Sequence, residues 1–364
     1  MTDIKDLIEK YFVVDKENNN NPLFAYTKGS KVDPLVDGQA YFDAIRAEVN
    51  YLKTVTPDKD PFFYIAGWKI WVIKGISDDT LFELNQKGVD VRVMPWFPMV
   101  AHRADWKLPD PPDEYRDKGK FVFPYQNHAD ETVVYIATLR EKILAISKSA
   151  DDKRLFVKAI FNTLSHPLGS VHMKMVVCGD KSRMVAFVSG IDLARGRQAS
   201  PGHGPGQGGW HDVGVRIEGP AFGGVYSVFR DYWNEQISRL TEIIKHATGG
   251  IRWEDYSTHN DVFHRVSTPD KPLKTPEVQA RTPPALPTSG TCHVQVLRTV
   301  PALYIPMSKF TEQNIETALF LKLVGSVTPF SFAKTEKGGI YDGIFEYRDA
   351  LEKAIAAAKH YVYI

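Results

Sequence analysis

The chain has 364 residues, 43% of them hydrophobic and 24% charged; this is the composition of an ordinary globular protein and excludes disorder over most of the length. Its formal net charge is +1 at pH 7, so no bulk electrostatic pull favours nucleic acid or an anionic membrane. The two cysteines, Cys178 and Cys292, form no CxxC pair, which excludes a disulfide framework and a cysteine-rich zinc site.

In chain order, residues 1–40 combine an amphipathic start with a polar tract, Asn18 to Asn21, and turn residues. They are expected to form a peripheral arm. Residues 41–53 have helical spacing, with Phe42, Ile45, Val49 and Leu52 on one stripe. Residues 62–68 form an apolar run suited to a buried strand. Residues 80–87 predict a helix closed by Gly88, and residues 89–96 a further strand. This alternation predicts an α/β layered domain, of mixed α and β character, with a largely buried sheet.

Residues 101–131, rich in Pro, Asp, Lys and aromatics, predict a long excursion, and helical signal returns at 132–149. Two strands follow at 170–178 and 184–191, joined by a polar turn. The glycine-rich stretch 198–209 is expected to be a loop. A strand is predicted at 213–217 and a long helix at 226–246, with Val228, Phe229, Tyr232, Trp233, Ile237, Leu240 and Ile244 as its apolar stripe. A proline-rich stretch at 269–287 leads to an alternating strand at 293–300. A helix at 345–360 then runs into an apolar strand start, Tyr361 to Ile364, after which further protein is expected. No run of eighteen apolar residues and no secretory h-region is present. A soluble, cytoplasmic protein without a transmembrane segment is expected, meeting lipid only from the aqueous side.

The segment Val171-His-Met-Lys-Met-Val-Val177 carries the chemistry. On a strand, Val171, Met173, Met175 and Val177 point to one face and His172, Lys174 and Val176 to the other. His172 and Lys174 are then neighbours roughly 7 Å apart, at a rise of about 3.3 Å per residue. An imidazole beside an ammonium suits a phosphoryl group: the lysine stabilises its oxygens, and a neutral histidine nitrogen can attack. Alone, such a pair is more often the solvated face of an amphipathic strand.

Its surroundings decide otherwise. After His172-x-Lys174 come Ala186-Phe-Val-Ser-Gly-Ile-Asp-Leu193, Gly196-Arg197, Trp210-His-Asp-Val213 and Gly219-Pro220. Phe229 with Trp233-Asn234, Cys292-His-Val-Gln-Val-Leu-Arg298 and Tyr347-Arg-Asp-Ala-Leu-Glu-Lys-Ala-Ile355 follow, and Tyr64-Ile-Ala-Gly-Trp68 and Gly88-Val-Asp-Val-Arg92 precede. This ordered set resembles the phospholipase D superfamily, and within it the larger lipid-hydrolysing enzymes, from about residue 41 to the end.

The resemblance implies a layered fold with a central mixed sheet flanked by helices on both faces. It implies a phosphodiesterase in which two His-x-Lys motifs, one from each half, share one site without metal or cofactor. His172 would be the nucleophile that forms a phosphohistidine and Lys174 the phosphate clamp. Asp192 would help hold the phosphate and the lysine, His211 and Asp212 would border the substrate, and Ser189 and Gly190 would shape the wall. Asp180 stands one place beyond the position where the family has an aspartate ion-pair partner, and Ser189 replaces a glycine. Only one His-x-Lys with a fitting downstream strand is found. The expected division is therefore an arm at 1–40, a first phospholipase D-like domain at 41–325, and the start of a truncated second half at 326–364.

On this reading the chain alone is inactive, and its partners are a phospholipid or other phosphodiester and either its own C-terminal half or a second copy. A non-catalytic phosphate- or lipid-binding or assembly half is the alternative. A nuclease of the same superfamily is a further one, disfavoured by the near-zero charge. Gly204-x-Gly206-x-x-Gly209 follows no strand and contains Pro205, so it is read as loop composition. His259, His264 and His293 match no zinc spacing.

Overall fold

The computed structural model describes residues 12–15, 21–22, 26–68, 70, 73–96, 158–159, 162, 171–200, 202–203, 210–247, 267–268, 271–272, 277–286, 290–300 and 344–358. The expected helix at 132–149, His259, His264, the 204–209 glycines and the strand start at 361–364 lie outside the described residues.

Strand β1 (Tyr26–Val36) leads into helix α1 (Asp37–Leu52), then β2 (Phe62–Gly67), α2 (Thr80–Gln86), β3 (Asp90–Pro95) and the short β4 (Lys158–Ala159). The hairpin β5 (Lys174–Asp180) and β6 (Arg183–Ser189) follows, then β7 (Val213–Glu218), the long α3 (Phe222–Ala247) and β8 (Cys292–Gln295). A two-strand ladder, β9 (Thr299–Val300) with β10 (Ile344–Phe345), precedes α4 (Glu346–Ala357).

One eight-stranded sheet has the order β8-β1-β7-β6-β5-β2-β3-β4. The β2–β3 and β3–β4 pairs are parallel and the other pairs antiparallel, so the sheet is mixed. Every residue of β2 and β5 is buried, which explains why both appear in the sequence as near-continuous apolar runs rather than alternating ones.

Helices cover both faces. The stripe Phe42, Ile45, Val49 and Leu52 of α1, with Leu81 and Leu84 of α2, packs on Phe63, Ile65, Val91, Val176, Cys178, Val185 and Phe187. On the opposite face Phe222, Val225, Tyr226, Phe229 and Trp233 of α3 pack on Phe62, Tyr64, Met175, Val177, Ala186 and Ile217. Each such side chain taken out of water stabilises the fold by about 1.5–3 kcal/mol before conformational entropy is counted. The split of β5 into Met175 and Val177 on one side and Val176 and Cys178 on the other is the two-residue period expected for it.

The sheet's outer half differs from the sequence expectation. Residues 26–36, expected in a peripheral arm, form β1 between β7 and β8, with six register pairs to β7 from Lys31↔Glu218 to Val36↔Val213. Gly29, Pro34 and interspersed charges hide this strand in the sequence. Its partner lies some 180 residues away, and charge pairing supports the register: Lys31 faces Asp33 and Glu218, and Arg216 reaches Asp33 and Glu218. The buried Glu48 of α1 accepts from both Arg183 and Arg216, which ties the helix to β6 and β7. The predicted strand at 293–300 is two short ones, β8 and β9, and β10 from the expected second half pairs with β9.

Candidate active site

The carboxyl ends of β1, β2, β3 and β6 and the amino ends of β5 and β7 lie at one end of the sheet, as the registers Gly67↔Lys174, Met175↔Val188, Ser189↔Gly214 and Val36↔Val213 require. The carboxyl ends of neighbouring parallel strands are a common place for ligands in open α/β sheets. Here the antiparallel hairpin adds its own side chains to that end.

Lys174 opens β5, and His172 stands two residues before it, beyond the last ladder pair. The segment is fixed by a hydrogen bond from the Trp68 amide to the Met173 carbonyl at 3.0 Å. The Lys174 side chain folds back along its strand, and Nζ lies 3.3 Å from each ring nitrogen of His172. Nζ also lies 3.2 Å from Asp192 Oδ1, with both side chains of that pair almost wholly buried. His172 itself is exposed. The ring of Trp68, just past β2, lies 5.0 Å from the His172 ring and 5.6 Å from the Lys174 ammonium, and Trp96, just past β3, stacks on Trp68. The result is a solvent-facing imidazole backed by a sequestered ammonium.

Burial pulls the Lys174 ammonium below the ordinary lysine range; Asp192 and Asp212 oppose that shift, and Arg197 adds to it. Arg197 Nη2 lies 3.8 Å from the second oxygen of Asp192, and its guanidinium lies flat against Trp210, 3.4 Å from the ring centre. Burial also pushes the Tyr41 phenol, on α1, well above its usual value; the Ser189 hydrogen bond opposes that rise and Asp192 reinforces it. Tyr41 therefore stays a neutral hydroxyl. The Ser189 hydroxyl accepts from the Ile191 amide and donates to the Ile191 carbonyl, closing the turn that delivers Asp192.

Gly190 is needed for close approach: a Cβ there would stand 2.2 Å from Asp212 Oδ1. Gly38 has the same role at the start of α1, where a Cβ would fall 1.6 Å from the Arg197 carbonyl oxygen. The 192–199 turn is thus seated directly on α1, and the Gln39 amide donates to the Ala199 carbonyl.

Seven sequence-singled residues share this end of the sheet: His172, Lys174, Asp192, Ser189, Gly190, His211 and Asp212. His211 lies against Asp37, with Nδ1 2.8 Å from Asp37 Oδ1. The structure corrects the placement of Asp180. It ends β5 at the far side of the sheet, about 20 Å along the strand from Lys174 at the rise of an extended chain. There Asp180 accepts from Tyr51, from the Ser182 amide and hydroxyl, and from the Arg183 amide. Burial would raise its pKa, but these donors hold the carboxyl below the usual range. It is the anchor of the β5–β6 turn.

Four residues to which sequence reasoning gave no role at the site also belong here: Asp37, Trp68, Arg197 and His203. Asp37 is buried, begins α1 with a left-handed φ of 64°, and donates its amide to the Asp212 carbonyl at 2.8 Å. Such a conformation in a residue other than glycine is a local strain held by its surroundings. His203 Nε2 lies 3.4 Å from Asp37 Oδ2, and one ligand atom each from Asp37, His203 and His211 lies within 4.8 Å of the others. One carboxylate and two imidazoles form a donor set able to hold a divalent cation. Burial works against ionised Asp37, but its bonds to His211 and Asp212 hold the carboxyl below the usual range. His293, set aside as a metal ligand from sequence, bonds instead to the Tyr26 hydroxyl at 2.7 Å, joining β8 to β1.

No family model matches the chain. Among curated proteins it is 24% identical over 233 residues to phospholipase D delta of Arabidopsis thaliana, covering 53% of this chain and 26% of that protein. It is 22% identical over 343 residues to phospholipase D beta 2 of the same plant, covering 83% of this chain and 32% of that protein. The chain thus spans about a quarter to a third of the length of these relatives. Among solved structures, Nuc from Salmonella typhimurium, a phospholipase D family member, aligns with 56% of this chain and 95% of its own at 10% identity and a TM-score of 0.32. NucT from Helicobacter pylori aligns with 52% and 87% at 11% identity and a TM-score of 0.29. With His172, Lys174, Asp192 and Asp212 at one end of a mixed, helix-covered sheet and phospholipases D as its sequence relatives, the chain resembles the phospholipase D superfamily.

Proposed function

We propose that the chain is the N-terminal half-site of a phospholipase D-type phosphodiesterase acting on a phospholipid, with His172 as nucleophile. The observation that carries this reading is the exposed His172 imidazole with the Lys174 ammonium 3.3 Å from both of its nitrogens. A nucleophile that solvent can reach, next to a fixed cation, is what a phosphodiester anion needs at the attacking face. In the first step a His172 nitrogen–phosphorus bond forms and the phosphorus–oxygen bond to the head-group alcohol breaks. In the second, water attacks the phosphohistidine, the nitrogen–phosphorus bond breaks and phosphatidic acid leaves. With an added alcohol in place of water, the same step is transphosphatidylation. Lys174 neutralises the phosphoryl oxygens, Asp192 holds Lys174, and Asp212 and His211 border the phosphate.

The departing alkoxide needs a proton from the side of phosphorus opposite His172. A general acid must lie within about 3 Å of that oxygen, and one imidazole cannot serve both sides at once. A second half, supplied by a longer chain or a second copy, meets that need. The choice of a phospholipid over another phosphodiester rests on the relatives, which are named as phospholipases D.

The test incubates radiolabelled phosphatidylcholine vesicles with the chain alone and with a C-terminal half of a relative. Choline release that needs both polypeptides and disappears in His172→Ala supports the reading. Phosphodiester binding without turnover in every combination would make the chain a non-catalytic binding half, and turnover of DNA but not lipid would make it a nuclease.

A further inference from the structure

Asp192 is shared by two cations, and only one of them belongs to the His-x-Lys pair. Its Oδ1 lies 3.2 Å from Lys174 Nζ and its Oδ2 lies 3.8 Å from Arg197 Nη2. A buried carboxylate serving one lysine could rotate about its last bond and leave the ammonium misaligned. One with a cation beside each oxygen is restrained electrostatically against that rotation.

Arg197 is itself held without saturating its donors. Its guanidinium rests on the Trp210 ring at 3.4 Å, and its backbone is fixed by a hydrogen bond from its amide to the Ala194 carbonyl and by the close seat on Gly38. Among the described residues, its buried Nη1 has no hydrogen-bond partner. A guanidinium kept for stability alone would be expected to fill its donors, because a buried unpaired one is costly. The planar fork also matters: only a flat cation can lie against Trp210 and still present an edge to Asp192.

We propose that Arg197 is a positioning residue of the phosphate site, which holds the outer oxygen of Asp192 so that the inner one keeps Lys174 beside His172. The inference rests on the phosphodiester reading of that site. The groups facing the Lys174 ammonium are His172 on its own strand, Trp68 beyond β2, Asp192 after β6, Asp212 before β7, and Arg197 through Asp192. Losing Arg197 removes a like charge and leaves Asp192 to Lys174 alone. Both effects strengthen the hold on the Lys174 proton, so its titration moves up, while the freed carboxylate competes with a bound phosphate for the ammonium.

The experiment is lysine side-chain NMR of the full chain, with Lys174 assigned by its loss in Lys174→Met, together with calorimetric binding of dibutyl phosphate. In Arg197→Gln the Lys174 titration should rise and dibutyl phosphate should bind on the order of tenfold more weakly, the size of one charge-assisted contact. Arg197→Lys keeps the charge but not the plane, and should restore the titration more than the affinity. Trp210→Ala removes only the platform, so it tests the inference if Arg197→Gln fails to fold, with a smaller upward titration expected. An unchanged Lys174 titration in a folded Arg197→Gln or Trp210→Ala protein overturns the proposal. Failure of the unaltered chain to bind dibutyl phosphate would overturn the phosphodiester reading, and the titration would still decide the role of Arg197.

Discussion

Removing both members of the Lys174–Asp192 pair should cost clearly less than the sum of removing each alone. The two side chains are 5% and 3% exposed and 3.2 Å apart, so deleting either partner strands a charge in a nearly dry place. That loss is about 3–5 kcal/mol for a buried pair. A second bound applies to Asp192→Asn: the stranded ammonium can shed its proton, which from an ordinary lysine pKa at pH 7 costs roughly 4–5 kcal/mol. Burial has already lowered that pKa, so the cost falls below this ceiling, and Asp212 still faces the lysine. The expected loss is about 3 kcal/mol for Asp192→Asn and a similar figure for Lys174→Met. The double variant should be less destabilised than the sum of the two by about 2 kcal/mol or more. Urea unfolding of the four proteins at pH 7 measures this. Single variants within about 0.5 kcal/mol of the parent, or strictly additive effects, would refute a coupled buried pair.

Further outcomes follow from the same geometry. Gly190→Ala should displace the Asp212 carboxylate, because its Cβ would stand 2.2 Å from Oδ1; a loss of about 1–3 kcal/mol in thermal unfolding and weaker phosphodiester binding are expected. Asp180 has a depressed carboxyl, so its contribution to stability is complete above the unfolded value near 3.8 and is lost as pH falls through the lower folded value. The stability gap between the parent and Asp180→Asn should therefore be constant from pH 7 to 5 and narrow toward pH 2, with no effect on phosphodiester affinity at neutral pH. Trp233→Ala should cost about 3–5 kcal/mol, because the ring is fully buried between Phe229 and the Arg92 guanidinium.

Much of the fold was legible because the elements around α1, β2, β3, β5, β6, β7 and α3 carry clean periods. The stripe of Phe42, Ile45, Val49 and Leu52 and the alternation of Met175 and Val177 with Val176 and Cys178 are local signals of which face is buried. Strand β1 was not legible. Lys28, Gly29, Lys31 and Pro34 look like turn material until the pairing with β7 is known, and that partner is set by topology.

The site divides in the same way. His172, Lys174 and Asp192 lie within twenty residues on one hairpin and its exit, so their meeting could be argued from strand geometry. Asp37, Trp68 and Arg197 could not. Trp68 and Asp37 arrive from more than one hundred residues away, and Arg197 sits in a turn whose close seat on Gly38 nothing in the local pattern announces. Asp180 failed for the opposite reason. Its distance from Lys174 in sequence is short, but an extended strand carries it to the other end of the sheet.

The central claim is that His172 attacks phosphorus, and a substrate with a p-nitrophenyl leaving group tests it without a second half. p-Nitrophenolate needs no proton to depart, so the general acid assigned above to a second half matters only for ordinary alcohols. On mixing the chain with a p-nitrophenyl alkyl phosphodiester, the account predicts a burst of about one p-nitrophenolate per chain and an acid-labile, base-stable phosphoryl adduct on His172. A chain that gives no burst, or a His172→Ala variant that keeps it, would contradict the account.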